Sequence, residues 1–121
     1  FDLKDANVSI ICTHLQHSEI PAKATPLDIA SRKLEMLKIA EKIQEKRNEG
    51  KIVIFTGDLN QEERELYDTL QEEIFQDLQL QRDPLIENIP TWGGDAWCAE
   101  LEGKEPSPPL VLDYTFAIGA K

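Results

Sequence analysis

The chain has 121 residues, of which 40% are hydrophobic, and a formal net charge of −10 from 23 acidic and 13 basic residues. This length allows at most one domain with a modest core, and no apolar run approaches the length of a transmembrane helix. The acidic balance argues against tight non-specific binding to nucleic acid, although a bound divalent cation can reverse the local field at a phosphate site.

The first part of the chain predicts a strand followed by a long helix. Residues 8–13 are mostly apolar and predict a strand that is buried on both faces, and residues 18–26 predict a loop. A helix over 27–47 follows, because Thr25 can cap it, Pro26 suits its first turn and Asp28 completes a capping box. Gly50 can take the left-handed conformation that ends it. The predicted inward side chains are Leu34, Met36, Leu37, Ala40 and Ile43, and the predicted outward ones are Ser31, Glu35, Lys38, Lys42 and Glu45.

The second part predicts another strand, short helices and a last strand. Residues 51–56 form a β-branched run, and the order strand, amphipathic helix, strand indicates an α/β fold in which the two strands can be parallel neighbours. Residues 61–75 predict one or two short acidic helices, with Leu66, Leu70, Ile74 and Phe75 facing inward and the glutamates facing solvent. The proline and glycine content makes 82–109 mostly loop, and 110–118 predict the last strand.

The motif Gly57-Asp58-Leu59-Asn60 ends the second predicted strand in polar side chains. Strand alternation predicts that Asp58 and Asn60 face one site while Leu59 enters the core. A carboxylate and a carboxamide together form an oxygen-rich pair that suits Mg²⁺ and phosphate. The alternative is an ordinary turn after a strand, where these residue types are common.

Two further ionisable residues lie in or next to predicted strands. His14 follows the first strand, where it can hydrogen-bond a phosphoryl oxygen or transfer a proton near neutral pH. The alternative is a strand-end histidine that the backbone satisfies. Asp113 lies among apolar residues of the last strand, and an unpaired buried carboxylate is costly, so we expect a histidine or arginine partner. The alternative is an edge-strand aspartate that faces water.

Two features of the sequence allow more than one interpretation. Cys12 and Cys98 form no Cys-x-x-Cys pair, and two free thiols are favoured over a disulfide between them. The stretch Pro90-Thr91-Trp92-Gly93-Gly94 is either a surface turn with an anchoring aromatic ring or part of a substrate-contacting loop.

Three short motifs occur in a particular order along the chain. They are Thr13-His14-Leu15-Gln16, then Gly57-Asp58-Leu59-Asn60, then Leu112-Asp113-Tyr114-Thr115-Phe116. With Arg32 in the helix and Pro90-Thr91-Trp92 before the last strand, this set resembles the endonuclease/exonuclease/phosphatase superfamily. The residue order Thr-His-Leu-Gln in the first motif favours the neutral-sphingomyelinase-like members of this superfamily. The resemblance implies a DNase-I-like four-layer α/β sandwich of mixed β-sheets flanked by helices. Residues 1–121 would be its middle-to-C-terminal part, without the N-terminal half and the final strand.

The resemblance also implies a function, namely Mg²⁺- or Mn²⁺-dependent hydrolysis of a phosphoester, with a phosphodiester favoured, by an activated water. His14 would contact the scissile phosphate, and Asp58 would position or activate the water. Asn60 would hold a phosphate oxygen or help Asp58 at the metal, and Asp113 would orient a catalytic histidine. The substrate would be a nucleic acid, a sphingolipid or a phosphoinositide, since one scaffold serves all three.

Two parts of the family's site have no match in this sequence. The metal-binding glutamate of the N-terminal half is absent, and so is the Ser-Asp-His motif that supplies the catalytic histidine. We therefore expect the chain alone to bind metal poorly and to catalyse little. The alternative function is a non-catalytic interaction module, or a degenerate member that keeps the fold.

Overall fold

The computed structural model describes residues 1–15, 24–82, 90–91, 101, 103 and 111–120. Within these residues the structure is mixed α/β, with five strands in one mixed sheet of order β1-β2-β3-β5-β4 and three helices. The elements are β1 (Asp2–Leu3), β2 (Val8–His14), α1 (Pro26–Asn48), β3 (Ile52–Asp58), α2 (Glu63–Leu70), α3 (Glu73–Leu78), β4 (Gln81–Arg82) and β5 (Asp113–Ile118). β2 and β3 are parallel and α1 connects them, whereas the other pairs of neighbouring strands are antiparallel.

The predicted elements are confirmed, with shifts at their ends. β3 ends at Asp58, two residues later than predicted, and β5 begins at Asp113, three residues later than predicted. The acidic segment forms two helices, and α3 continues to Leu78. β1 and β4 are not predicted, because a strand of two residues carries no readable alternation. Residues 18–23 of the first predicted loop, and most of 82–109, lie outside the described residues.

α1 begins and ends as the sequence predicts. The Thr25 hydroxyl accepts the N–H of Asp28 at 3.2 Å, and the Asp28 carboxylate accepts the N–H of Thr25 at 3.0 Å. This capping box satisfies two donors that the first turn of a helix leaves without a partner. After α1, Gly50 has a φ of +81°, which is the left-handed conformation expected there.

The buried face of α1 differs from the prediction. Met36, Ala40 and Ile43 are fully buried, but the prediction for Leu34 is wrong, because 63% of its surface is exposed. Arg32 is buried instead, and its Nε and Nη2 donate to the Glu65 carboxylate on α2 at 2.7 and 2.6 Å. The outward prediction for Glu65 is therefore also wrong. A buried arginine is tolerated when a carboxylate binds it through two hydrogen bonds, and hydropathy does not reveal that pairing.

The described helices cover one face of the sheet. The core joins side chains of this face to those of the helices, and its members include Val53, Phe55, Tyr114, Phe116, Ile118, Met36, Ala40, Ile43, Leu66, Phe75 and Leu78. The other face, called the open face below, contains no buried side chain among the described residues. It consists of Phe1, Leu3, Val8, Ile10, Cys12, His14, Ile52, Ile54, Thr56, Asp58, Gln81, Asp113, Thr115 and Ala117. Within the described structure β2 is therefore buried on one face only, and not on both as predicted.

Gly57 lies between two neighbouring strands and has no room for a side chain. It pairs with Thr13 on β2 and with Tyr114 on β5. Its φ is +145°, a conformation that favours glycine, and an added Cβ would overlap the backbone carbonyl oxygen of Thr13. Because the obstructing atom belongs to the backbone, no side-chain rotation relieves the overlap.

Replacing Gly57 by alanine should lower the free energy of unfolding by about 3 kcal/mol or more, because backbone strain adds to the overlap with Thr13. Gly50→Ala is the matched control, since Gly50 also has a positive φ, +81°, but a Cβ there meets nothing within 4 Å. The control should cost about 1 kcal/mol. Urea denaturation followed by circular dichroism measures both, and equal losses would contradict the role assigned to Gly57.

Candidate active site at the carboxyl edge of the sheet

The strand register brings three of the four predicted site residues together. His14 on β2 lies opposite Asp58 on β3, and Asp58 lies opposite Asp113 on β5. Residues directly opposite each other in a sheet point to the same face, so the three side chains form one row on the open face. This row, called the ionisable row below, lies at the carboxyl ends of β2 and β3, the edge where open α/β sheets bind ligands.

His14 and Asp58 are near each other and accessible to a ligand. The His14 Nε2 lies 3.6 Å from the Asp58 Oδ2, which is longer than a hydrogen bond but close enough for attraction when the imidazole is protonated. The His14 side chain is 73% exposed and that of Asp58 is 34% exposed. Within the described residues, no backbone group is bonded to the imidazole, so the geometry offers His14 to solvent.

Asn60 reaches the same edge by a route that strand alternation does not predict. β3 ends at Asp58, and Asn60 has a φ of +49°, so the alternation of the strand does not extend to it. Its N–H donates to the Asp58 Oδ1 at 2.9 Å, and its side-chain Nδ2 donates to the Leu15 carbonyl oxygen at 2.9 Å. Leu59 is fully buried, as predicted. Asn60 thus ties the turn after β3 to the end of β2, and the residue itself is only 7% exposed.

Asp113 is half-buried on a strand that lies inside the sheet, between β3 and β4. Neither the expected histidine or arginine partner nor any other partner of its carboxylate is found within the described residues. Its carboxylate and that of Asp58 lie opposite each other, and like charges in directly opposite positions destabilise a sheet. The row is therefore a place where a bound cation would lower the free energy by offsetting this repulsion.

Thr91 holds the beginning of β5. Its hydroxyl oxygen accepts the N–H groups of Leu112 and Asp113, at 3.1 and 3.2 Å. The structure thus connects Thr91 to the ionisable row through the backbone of Asp113. The sequence marks this position only through the motif Pro90-Thr91-Trp92, and it does not predict that the Thr91 hydroxyl bonds the backbone of β5. Trp92 and the glycines after it lie outside the described residues.

The row fits part of a divalent-cation site. Mg²⁺ in proteins often binds one or two carboxylates and takes its other ligands from water and substrate phosphate, and Asp58 and Asp113 offer two carboxylates. Within the part of the chain that the structure describes, no three His, Cys, Asp or Glu side chains come close enough to hold a metal ion by themselves. A cation at this row would need further ligands from water, substrate or other residues.

Two other features lie apart from the row. A cleft of about 330 Å³ between α1 and α2 mixes cationic and anionic side chains, among them Lys33, Arg64 and Asp68. Cys12 is a free, exposed thiol on the open face, and Cys98 lies outside the described residues.

No helix among the described residues has both the length and the apolar character that crossing a bilayer requires.

Replacing Asp113 by asparagine should raise the free energy of unfolding in metal-free buffer by about 0.5 kcal/mol, because the repulsion from Asp58 disappears. Thermal unfolding at neutral pH measures the change, and 0.5 M salt should reduce it by screening. The matched control is Asp77→Asn, which removes an exposed acid outside the row and leaves this repulsion in place. A destabilised Asp113→Asn would show that its carboxylate has a stabilising partner.

Comparison with known proteins does not assign the chain to a family. No protein-family model matches the chain, and no curated protein is significantly similar to it. The likeness to the endonuclease/exonuclease/phosphatase superfamily therefore depends on the three ordered motifs, Arg32 and Pro90-Thr91-Trp92 alone.

Proposed function

We propose that this chain is the middle-to-C-terminal part of an endonuclease/exonuclease/phosphatase domain and carries part of the site of a Mg²⁺-dependent phosphoester hydrolase. The observation that carries the proposal is the register of β2, β3 and β5. Three motifs that lie far apart in the sequence contribute His14, Asp58 and Asp113 to one row at one edge of the sheet. Asn60 is bonded directly to that row through Asp58.

The contacts of each residue support a distinct role. The exposed imidazole of His14 is free to donate to a phosphoryl oxygen and to stabilise its developing charge. Asp58 has one oxygen fixed by the Asn60 N–H and the other turned toward His14, so its orientation is set before a ligand binds. In that orientation it can accept a proton from an attacking water. A bound Mg²⁺ would supply Lewis acidity and charge neutralisation at the phosphate.

Asp113 is suited to orient a histidine that this sequence does not contain. Its carboxylate is half-buried, and the described residues offer it no partner. In this proposal the partner is the histidine of a Ser-Asp-His motif elsewhere in the same domain. The favoured substrate is a phosphodiester in a sphingolipid, a phosphoinositide or a nucleic acid, and the net charge of −10 disfavours a long nucleic acid.

The open face supports the DNase-I-like four-layer sandwich as the complete fold. Its polarity changes stepwise along the strands. Next to the ionisable row lies the row Cys12–Thr56–Thr115, and beyond it the rows are apolar except for Gln81 at the β4 edge: Phe1–Ile10–Ile54–Ala117–Gln81 and Leu3–Val8–Ile52. A contiguous apolar area of this kind is normally covered. We propose that a second sheet of the same domain packs on the apolar rows and leaves the ionisable row at its rim.

Loss of His14 or Asp58 should abolish most of the activity in a longer protein that includes the missing glutamate and Ser-Asp-His motif. With bis-p-nitrophenyl phosphate and Mg²⁺, His14→Ala and Asp58→Ala should each lower kcat/KM by about 100-fold or more. Lys42→Ala, an exposed substitution on α1, is the control and should retain wild-type turnover. Near-normal hydrolysis in either site variant would contradict the proposal. A folded wild-type protein without hydrolysis would favour the interaction module.

The second sheet can be tested through the thiol of Cys12, which is exposed on the open face in the row next to the apolar rows. In a Cys98→Ser background, a thiol reagent should modify Cys12 of the 121-residue chain at the rate of an unhindered thiol. In the longer protein the reaction should be about tenfold slower or more, because the reagent must wait for local opening. The longer protein unfolded in urea is the control. Equal rates in the two folded proteins would exclude a layer over this face.

A further inference from the structure

The turn that follows β3 is attached to the beginning of β5 on both sides of Asn60. Before Asn60, the Leu59 N–H donates to the Leu112 carbonyl oxygen at 2.8 Å. After Asn60, the Tyr114 hydroxyl donates to the Gln61 carbonyl oxygen at 2.8 Å. The left-handed backbone of Asn60, with a φ of +49°, is thus held between two fixed neighbours. Such a conformation is less favourable than an extended one and persists when its surroundings hold it.

Tyr114 is placed so that its hydroxyl reaches two main-chain carbonyls at once. The residue is 1% exposed, and its hydroxyl oxygen lies 2.8 Å from both the Gln61 and the Val111 carbonyl oxygens. Its ring stacks on Phe116, and the Arg82 guanidinium lies 4.9 Å from the ring centroid on its face. A phenol has one proton, so the two carbonyls share a single donor. Without the hydroxyl, the buried carbonyl of Gln61 loses this donor.

The charge state of the hydroxyl suits this role. Burial, followed by the negative charge of Glu63, raises the pKa of the Tyr114 hydroxyl well above its usual range. At neutral pH the group is therefore a protonated donor.

We infer that Tyr114 is a positioning residue for the ionisable row, because its hydroxyl fixes the main chain of the turn that carries Asn60 and, through it, the orientation of Asp58. The inference rests on the proposed function for its catalytic consequence. The structural role of the Tyr114 hydroxyl in holding the turn is independent of the proposed function. Tyr114 touches no reacting group, and it acts on the turn through the Gln61 carbonyl and, by way of the chain, through Asn60.

The chain offers a matched pair of substitutions. Tyr114→Phe removes the hydroxyl and keeps the ring that packs in the core. Tyr67→Phe removes the hydroxyl of the other tyrosine of the chain. Tyr67 is 42% exposed, and its hydroxyl oxygen accepts a hydrogen bond from Arg82 at 3.0 Å and makes none to the turn. The two variants therefore separate the loss of a phenol hydroxyl in general from the loss of this one.

Amide hydrogen exchange, measured by NMR, tests the positioning itself. In Tyr114→Phe, the Leu59 and Asn60 amides should exchange about tenfold faster or more, whereas amides in α1 and β2 should change by less than about twofold. Tyr67→Phe should leave the turn at the wild-type rate. Unchanged exchange at the turn would overturn the inference. Equal acceleration in every element would also overturn it, because the hydroxyl would then serve global stability only.

Turnover in the longer protein tests the consequence for catalysis. Tyr114→Phe should lower kcat for a chromogenic phosphodiester about tenfold and leave KM unchanged, because a misplaced turn affects the transition state more than substrate binding. An unchanged kcat in an active enzyme would overturn the positioning role. Absence of hydrolysis in the wild-type protein would overturn the proposed function instead, and the exchange measurement would still decide the inference.

A second measurement covers the case in which Tyr114→Phe does not fold. In the Tyr67→Phe background, 3-fluorotyrosine at position 114 preserves the ring and the hydroxyl, and ¹⁹F NMR follows its ionisation. The phenol should ionise at a higher pH in the folded protein than in urea. Ionisation at the same pH in both states would mean that the hydroxyl is not held, and would overturn the inference.

Discussion

The shared register of β2, β3 and β5 is the constraint on which the rest of the structure depends, and Gly57 permits it. At that residue the Thr13 backbone on β2 comes so close that no side chain fits. One residue later, Asp58 falls between His14 and Asp113. One residue earlier, the Thr56 and Thr115 hydroxyls bond to each other at 2.8 Å. If β3 slipped by one residue against its neighbours, its side chains would exchange faces. Asp58 would then enter the helix-covered face, where an unpaired carboxylate is costly.

The candidate site combines a firmly held backbone with loosely paired side chains. Main-chain groups around it are fixed by Asn60, Thr91 and Tyr114, each of which bonds backbone atoms of a neighbouring segment. The charges themselves are not neutralised in this way, since Asp58 and Asp113 face each other and His14 is mostly exposed. Departures from optimal stability of this kind are typical of places where a protein binds a ligand.

The two faces of the sheet differ in what they contact. On the helix side, a continuous core packs the helices on the sheet, and the Arg32–Glu65 pair joins α1 to α2. The candidate site residues lie on the strands and on the turn after β3, and none lies on a helix. On the open side, the apolar rows and the ionisable row share one surface. The first side accounts for the stability of the described part, and the second carries the candidate site.

Local interactions explain what the sequence by itself determined. The limits of α1 follow from the Thr25–Asp28 capping box and from Gly50, and β2 and β3 follow from runs of apolar and β-branched residues. The motif residues could be named for the same reason, because residue types and their order are visible without a fold. The burial of Leu59 followed from alternation within one short segment.

Long-range packing decided the rest. Arg32 displaced Leu34 from the buried face because Glu65, which is distant in sequence, binds it, and no pattern within α1 contains that information. Strand alternation does not extend to Asn60, because β3 ends at Asp58 and the Asn60 side chain is bonded to the Leu15 carbonyl oxygen at the end of β2. The ionisable row and the bonds of Tyr114 depend on which strands become neighbours and in which register. A sequence read one segment at a time does not specify those pairings, because they arise only when distant segments pack together.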